Sequence, residues 1–329
     1  MEKVTLVITD YQYEHVEAER AIAREAGVEL LARNCKTERE VIEAVRDADA
    51  VITQYCDINA AVIAEMRRCK VIVKYGIGTN NIDSEAAARK GIYACNVPDY
   101  GTDEVANHVV AMLLALAKKL NVITDAFRHG DWGYGSVIPL YRIAGSTLGL
   151  VGFGRIPMSV ARKMLGFEVN VIAYDPYVSA ETAKAAGVEL VDFDTLCAKS
   201  DFISIHCPLT AQTTHLFNRK TFQMMKKTAF LINTARGPVI RERDLIEALE
   251  AGEIAGAGLD VFEVEPLDRQ SKLLTMKNVI ATPHIAWYSE QAIQAVQRKA
   301  AEEAVNVLKG NAPFNPVNKP MRKACEEKT

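Results

Sequence analysis

The sequence predicts an α/β fold made of two doubly wound parallel-sheet domains. Short apolar, β-branched runs alternate with helical segments along the whole chain, which is the pattern of βαβ units. A length of 329 residues is comfortable for two domains, each large enough to bury a core of its own. The alternation restarts near residue 148, so a second and larger unit is expected to follow the first.

In the first unit, apolar runs predict strands at Val4–Thr9, Val51–Thr53 and Val71–Val73. Helical periodicity lies between these strands, beginning with a segment from about Glu14 to Ala26. A long helix is predicted from Thr102 to about Leu120, because Asp103 and Glu104 lie in its first turn, where acidic side chains favour the helix dipole.

In the second unit, similar runs predict strands at Leu148–Val151, Val169–Tyr174, Phe202–His206, Ala229–Asn233, Gly256–Asp260 and Val279–Ala281. A last helix is predicted to begin near Ser289 and to stop at Gly310. Because it follows the final strand of the second unit, we expect it to pack back on the first. The predicted domains are therefore residues 1–98 with 290–329, and residues 99–289, with a cleft between them.

The composition excludes several classes of partner. A net charge of −3 and a pI near 6.1 provide no basic field for nucleic acid or an anionic membrane. The apolar run Val109–Ala117 is too short to span a bilayer. Seven cysteines, an odd and scattered set without a Cys-x-x-Cys pair, argue against a disulfide framework or a zinc site. We expect a cytoplasmic protein without a metal.

The stretch "LGLVGFGRI" at 148–156 resembles the strand–turn–helix of a dinucleotide site. Gly152 would permit the tight turn, and Gly154 would let the backbone approach a pyrophosphate. Pro157 stands where a third glycine usually packs helix on strand. A proline in the first helical turn removes an amide that has no intrahelical partner, so the amides near Arg155 and Ile156 remain for the phosphates.

In the stretch "VNVIAYDPY" (169–177), Asp175 comes at the end of the next predicted strand, Val169–Tyr174. A carboxylate about 20 residues after the glycine turn is expected to accept the ribose hydroxyls of NAD. The alternative is a structural turn followed by an ordinary surface aspartate. Strand, turn, helix, strand and terminal acid together favour NAD.

Three later segments converge on one chemistry. Arg236, Glu265 and His284 each follow a predicted strand, and ligands of open α/β sheets bind at the carboxyl ends of strands. The arginine can hold a carboxylate and polarise a carbonyl, and the histidine can donate a proton as hydride arrives. The glutamate can orient the imidazole and raise its pKa. Singly, these residues have ordinary interpretations as a surface ion pair, a solvated acid and a turn cap.

With these motifs, the chain resembles the D-isomer-specific 2-hydroxyacid dehydrogenases. The stretches that carry the resemblance are "YGIGTNNID" (75–83), "GFGRI" (152–156), "YDPY" (174–177), "HCPLT" (206–210), "NTARGP" (233–238), "GLDVFEVEP" (258–266) and "TPHIAWYSEQA" (282–292). The resemblance implies a flavodoxin-like substrate domain, a Rossmann NAD domain and an NAD-dependent interconversion of 2-keto and D-2-hydroxy acids. It implies that Arg236, Glu265 and His284 are catalytic.

The resemblance also assigns binding residues. The cofactor positions it implies are Arg155, Ile156, Asp175, Cys207, Thr234, Ala235 and Asp260. Gly152 and Gly154 of the turn, together with Arg236 and His284, are also expected to contact the cofactor. A substrate-carboxylate loop is implied at Tyr75, Gly76, Ile77 and Gly78, with Arg236 also binding substrate. Trp287 is expected either to cover the substrate or to belong to the core. Family enzymes are usually homodimers, with the helix near 102–120 at the interface.

The substrate and the branch of the family stay open. "YDPY" and "HIAWYSEQA" resemble the C-terminal-binding-protein branch, whereas the body resembles phosphoglycerate and hydroxypyruvate/glyoxylate enzymes. Hydroxypyruvate, glyoxylate and phosphoglycerate are the implied substrates. One alternative is an NAD-sensing, corepressor-like binding protein, which would not need the intact Arg–Glu–His set. The other is a phosphite or formate dehydrogenase, although a formate enzyme is expected to carry Gln at position 265.

Overall fold

The structure is a computed structural model that describes residues 3–321. The described residues divide into two compact units, of which one comprises residues 3–101 together with 289–321, and the other is Thr102–Tyr288. The boundaries expected from the sequence, after residues 98 and 289, lie near the points where the chain passes from one unit to the other, after residues 101 and 288. The roles assigned to the two domains and the cleft between them stay predictions. Cys325 lies outside the described residues.

Each unit contains one parallel sheet. Within residues 3–321 the strands are β1 (Thr5–Ile8), β2 (Glu29–Ala32), β3 (Ala50–Thr53), β4 (Val71–Lys74), β5 (Tyr93–Cys95), β6 (Thr147–Val151), β7 (Asn170–Tyr174), β8 (Glu189–Leu190), β9 (Phe202–Ile205), β10 (Phe230–Asn233), β11 (Gly256–Leu259) and β12 (Val279–Ala281). The first sheet has the order β2-β1-β3-β4-β5 and the second β12-β11-β10-β9-β6-β7-β8. These are the flavodoxin-like order and the Rossmann order with one added strand. The predicted fold class is confirmed.

The helices connect and cover the strands. They are α1 (Glu17–Glu25), α2 (Glu38–Val45), α3 (Ala60–Glu65), α4 (Ser84–Arg89), α5 (Thr102–Ala117), α6 (Leu120–Arg128), α7 (Arg155–Leu165), α8 (Ala180–Ala185), α9 (Phe193–Lys199), α10 (Arg219–Met224), α11 (Glu242–Glu250) and α12 (Glu290–Leu308). The hydroxyl of Ser289 caps α12 by accepting the amide of Ala292 at 3.0 Å. In the first unit α12 packs on α1, β3 and β4, so the last helix completes that unit as expected.

The strands of the second sheet form because apolar side chains can be buried on both faces. Ile203 and Ile205 of β9 join a cluster on one face, whereas Leu148 and Leu150 of β6 join a second cluster that includes residues of α5. Each fully buried aliphatic side chain of this kind contributes roughly 1.5–3 kcal/mol. The buried strands of this sheet therefore fix the positions of the loops that follow them.

The long helix predicted from Thr102 to about Leu120 is wrong in its extent. Helix α5 ends at Ala117, and Lys119 adopts a left-handed conformation with φ of +49°. The amide of Lys119 bonds the carbonyl of Leu116 at 3.0 Å, a three-residue spacing that closes the regular helix. Helix α6 then begins at Leu120.

Candidate active site

The turn after β6 lies where the strand order of the second sheet reverses, between β6 and β9. Gly152 has a φ of +92°, and a Cβ atom at this position would lie 2.9 Å from the backbone nitrogen of Cys207. Only glycine meets both demands without strain. The ring of Phe153 is buried in the core and anchors the turn. Ligands of doubly wound sheets bind at such a reversal.

The start of α7 presents free amide groups beside this turn. Among residues 3–321, the N–H groups of Gly154, Arg155 and Ile156 have no hydrogen-bond acceptor, and the first helical bond runs from Met158 to the Gly154 carbonyl at 3.1 Å. A Cβ atom at Gly154 would meet open space. Pro157 is buried at the third helical position, where it removes no helical bond. These residues fit a pyrophosphate.

Asp175 follows β7 directly and joins the turn to the next loop. Its Oδ2 accepts the amide of Phe153 and its Oδ1 accepts the amide of Tyr177, both at 2.8 Å. A carboxylate offers about four lone pairs, so each oxygen keeps a further acceptor position. The predicted bond to ribose hydroxyls is compatible with this structural role.

The loop after β10 is arranged by a residue that the sequence reasoning missed. Asn233 is fully buried; its Oδ1 accepts the amide of Ala235 and its Nδ2 donates to the carbonyl of Arg236, both at 3.0 Å. The hydroxyl of Thr234 is buried and has no hydrogen-bond partner among the described residues. It is a polar group that a bound molecule could satisfy.

Glu265 and His284 form the pair that the sequence predicted. Glu265 Oε2 lies 2.6 Å from His284 Nδ1, and its Oε1 accepts the amide of Phe262 at 3.0 Å. Burial alone would raise the pKa of the Glu265 carboxyl. Its bonds to His284 and Phe262 and the charges of His284 and Arg236 outweigh burial and lower that pKa. Glu265 is therefore ionised at neutral pH, and Arg236 lies near enough to act on its charge.

His284 is held in an uncommon backbone conformation, with φ of +54°. A non-glycine residue in the left-handed region costs about 1–3 kcal/mol and persists only where its surroundings hold it there. The amide of His284 bonds the carbonyl of Asp260 at 2.8 Å, which holds the turn. With Nδ1 on Glu265, the ring's Nε2 has no hydrogen-bond partner within residues 3–321, and about a third of the side chain is exposed.

The loop that carries His284 is fixed by a buried aspartate. Asp260, 1% exposed, accepts the hydroxyl of Thr282 at 2.6 Å and the amides of Ile285 and Ala286 at 2.9 Å. Because the Thr282 hydroxyl donates to the carboxylate, it accepts from His108 Nε2 at 3.0 Å. Asp260, predicted as a cofactor position, thus uses both oxygens on this loop.

His108 and Thr282 were missed by sequence reasoning because 174 positions separate them. The sequence signal, one histidine within the apolar helix segment "ANHVVAMLL", shows a polar group on a buried element but not its partner.

Two other predicted residues lie beside these loops. Trp287 donates its indole N–H to the carbonyl of His284 at 3.1 Å and packs edge-on against Tyr288, so its ring borders the His284 turn. Cys207 is buried, which raises the pKa of its thiol to about 11, with the charge of Asp175 adding to the effect. This thiol therefore stays protonated at neutral pH.

The predicted carboxylate loop lies in the first unit, after β4. Tyr75 is buried there, and its hydroxyl donates to Glu19 Oε1 at 2.5 Å. Gly76 has a φ of +136°. In the described part of the chain, the amides of Ile77 and Gly78 have no acceptor, so this loop also presents free N–H groups.

The comparisons with known proteins agree with this geometry. Residues 110–286 match the family model of the "D-isomer specific 2-hydroxyacid dehydrogenase, NAD binding domain". The chain is 41% identical over 287 residues to the glyoxylate reductase of Thermococcus litoralis, covering 85% of this chain and 86% of that one. The chain therefore belongs to the D-isomer specific 2-hydroxyacid dehydrogenase family. The family and the cofactor predicted from the sequence are confirmed.

Other relatives extend the comparison. The chain is 39% identical over 321 residues to the D-3-phosphoglycerate dehydrogenase of Methanocaldococcus jannaschii, covering 96% of this chain but 60% of that one. It spans 56% of the corresponding Archaeoglobus fulgidus protein. A crystal structure of D-lactate dehydrogenase from Aquifex aeolicus, complexed with NAD and lactic acid, superposes with a TM-score of 0.87 at 29% identity, covering 96% of this chain and all of that one.

Within residues 3–321, no three His, Cys, Asp or Glu side chains are grouped so that they could hold a metal ion. No helix in the same range combines the length and apolar character needed to cross a membrane.

Proposed function

We propose that the protein is an NAD-dependent oxidoreductase that interconverts a 2-keto acid and a D-2-hydroxy acid. The observation that carries the proposal is the Glu265–His284 pair, in which Nδ1 is bound to the carboxylate and Nε2 is left for a substrate. The relatives named for glyoxylate, phosphoglycerate and lactate chemistry support the same reaction class. An NAD-sensing binding protein would not require this pair.

NAD(H) supplies or accepts the hydride when bound, and the protein supplies the proton and the positioning. In reduction, His284 starts as imidazolium and gives its Nε2 proton to the carbonyl oxygen. Glu265, ionised because its pKa is lowered, stabilises that imidazolium. Arg236 holds the carboxylate of the substrate and polarises its carbonyl. The amides of Ile77 and Gly78 are a second proposed carboxylate contact, and Trp287 a proposed cover for the rest of the substrate.

A substrate panel with NADH tests this proposal. Glyoxylate, hydroxypyruvate, phosphohydroxypyruvate, pyruvate and bulkier 2-keto acids are offered separately, and NADH oxidation is followed by absorbance. We expect turnover of at least one short 2-keto acid, and its loss in Arg236→Ala. Phosphite and formate with NAD are included, because turnover of these alone would replace the proposal by a different oxidation. Inactivity with every compound, despite measurable NADH binding, would favour a binding protein.

We propose that the protein is a homodimer. The segment 127–141, which begins in α6, exposes several large apolar side chains. Those that are each at least 60% exposed are Phe127, Trp132, Tyr134, Ile138 and Tyr141. Monomeric soluble proteins rarely expose so many together, and such patches mark interfaces. Sedimentation velocity is expected to show a dimer, and Trp132→Glu with Tyr134→Glu should shift it toward the monomer.

We further propose a cytoplasmic location. The six cysteines among the described residues are free thiols, five of them buried, which suits a reducing compartment. Thiol titration of protein purified without reductant should recover free thiols and no disulfide.

A further inference from the structure

A second histidine–glutamate pair lies in the same unit, outside the groups that the proposed reaction uses. His215 Nε2 lies 2.5 Å from Glu263 Oε1, and each side chain is about a third exposed. His215 has a φ of +53°, nearly the value of His284. Glu263 stands two residues before Glu265, on the same loop.

Glu263 is bound on its other side to the start of α11. Its Oε2 accepts the amide of Glu242 at 3.1 Å, and its own amide donates to Glu242 Oε2 at 3.3 Å. A carboxylate at a helix N-terminus satisfies an otherwise unpaired amide and interacts favourably with the helix dipole. Burial raises the pKa of the Glu242 carboxyl, and the charge of Glu263 adds to the rise.

His215 is also attached to the loop that carries Arg236. Its amide bonds the carbonyl of Pro238 at 2.8 Å, and the amide of Phe217 bonds Val239 at 3.0 Å. These are backbone contacts, so they persist when the His215 side chain is changed. Arg241, the residue before Glu242, also joins this segment: its amide bonds the carbonyl of Phe217 at 2.8 Å, and its side chain pairs with Asp244.

The two loops approach each other too closely for an ordinary residue. A Cβ atom on Gly237 would lie 1.8 Å from the carbonyl oxygen of Phe262. Because Gly237 follows Arg236 and the amide of Phe262 binds Glu265, this contact sets the distance between the two catalytic loops. The contact is steric and does not by itself hold the loops together.

We propose that His215 and Glu263 form a clamp that positions the Glu265 carboxylate for its hydrogen bond with His284. The His215 backbone is fixed to the Arg236 loop, and its imidazole holds the Glu263 carboxylate, which also binds α11. The loop from Phe262 to Glu265 is thereby kept against the Arg236 loop. His215 is a positioning residue, because its outward nitrogen is occupied by Glu263. This inference rests on the proposed function.

The test is a double-mutant cycle with steady-state kinetics. His215→Asn keeps the left-handed backbone, which asparagine tolerates, but shortens the reach to Glu263. We expect kcat for keto-acid reduction to fall about tenfold, with KM for the keto acid and Kd for NADH within about twofold of wild type. In the Glu265→Gln background the same change should lower kcat by less than about twofold, because the residue it positions is already disabled.

Glu263→Gln provides a second variant, and Glu250→Gln the matched control. Glu263→Gln should reproduce the kcat loss and its dependence on Glu265. Glu250 pairs with Lys272 on the surface of the same unit, and its variant should match wild type. Equal losses of kcat with and without the Glu265 carboxylate, a loss expressed in KM or NADH affinity, or no loss would overturn the clamp. Failure of the proposed function is separate, since wild type would then reduce no 2-keto acid.

Discussion

The second unit contains two histidine–glutamate pairs that look alike but use opposite ends of the imidazole ring. Both histidines have a left-handed backbone, and both glutamates come from the loop 262–265. In one pair Glu265 binds Nδ1, the nitrogen nearer the backbone, which leaves Nε2 for a substrate. In the other pair, Glu263 binds Nε2 of His215, so the nitrogen farther from the backbone is already occupied.

The difference shows that a histidine beside a carboxylate is not enough to define an acid–base catalyst. The second contact of each carboxylate differs as well. Glu265 accepts an amide of its own loop, whereas Glu263 accepts the first amide of α11 and ties two elements together. The first arrangement suits proton transfer and the second suits positioning.

The largest expected effect is the loss of kcat/KM on replacing His284, compared with the same replacement at His215. Asparagine tolerates the left-handed backbone at both positions, so the matched variants His284→Asn and His215→Asn change the side chains with little added strain. His284→Asn should lower kcat/KM for reduction by about 10²–10⁴-fold, the usual contribution of a general acid. His215→Asn should lower it about tenfold. Equal losses in parallel steady-state assays would contradict the assignment of roles.

Thr282→Val tests how the His284 loop is held. The change keeps the side-chain shape but removes the hydroxyl that links His108 to the buried Asp260. A buried group left short of a partner costs about 1–3 kcal/mol, measurable as a loss in the free energy of unfolding. Misplacement of His284 should lower kcat by about tenfold or more. Unchanged kcat and unchanged stability would show that this network does not support the catalytic loop.

Much of the site could be predicted because its residues follow strands directly. Arg236, Glu265 and His284 come after β10, β11 and β12, and parallel strands end at one edge of a sheet. The roles of His215 and His108 could not be predicted, because their partners depend on how loops far apart in sequence meet. The end of α5 was missed for a different reason, since periodicity continues across a backbone break that only the φ of Lys119 shows.

The preference for NADH over NADPH is expected to depend on neither histidine–glutamate pair. It therefore serves as a control that changes in either pair should leave unaltered. Asp175 offers acceptors to ribose hydroxyls but would repel a 2′-phosphate. We predict that NADH is preferred to NADPH by more than tenfold in kcat/KM, or more than ~1.4 kcal/mol. The preference should persist in Glu265→Gln and Glu263→Gln and shrink in Asp175→Asn. Equal turnover of both cofactors by wild type would remove the role assigned to Asp175.

The smallest effect is expected at Pro157. Because this residue lies at the third position of α7 and removes no helical bond, Pro157→Gly should leave Kd for NADH within about twofold, or ~0.4 kcal/mol. The flexible glycine should lower the free energy of unfolding by about 0.4–1 kcal/mol. Fluorescence titration and thermal unfolding measure the two quantities. A large loss of affinity in a stable variant would mean that the proline shapes the phosphate turn.

The most direct test of the two roles is the pH dependence of kcat/KM for keto-acid reduction in wild type, Glu265→Gln and Glu263→Gln. Reduction requires imidazolium at His284, so the rate should fall as pH rises. The bond to His284 lowers the pKa of Glu265, so the Glu265 carboxylate in turn favours imidazolium; removing its charge should move the fall in rate to lower pH, by more than in Glu263→Gln. Glu263→Gln should lower the rate with a shift of about 0.3 unit or less. Equal shifts in both variants, or an unmoved midpoint in Glu265→Gln, would contradict the assignment of proton transfer to the His284–Glu265 pair.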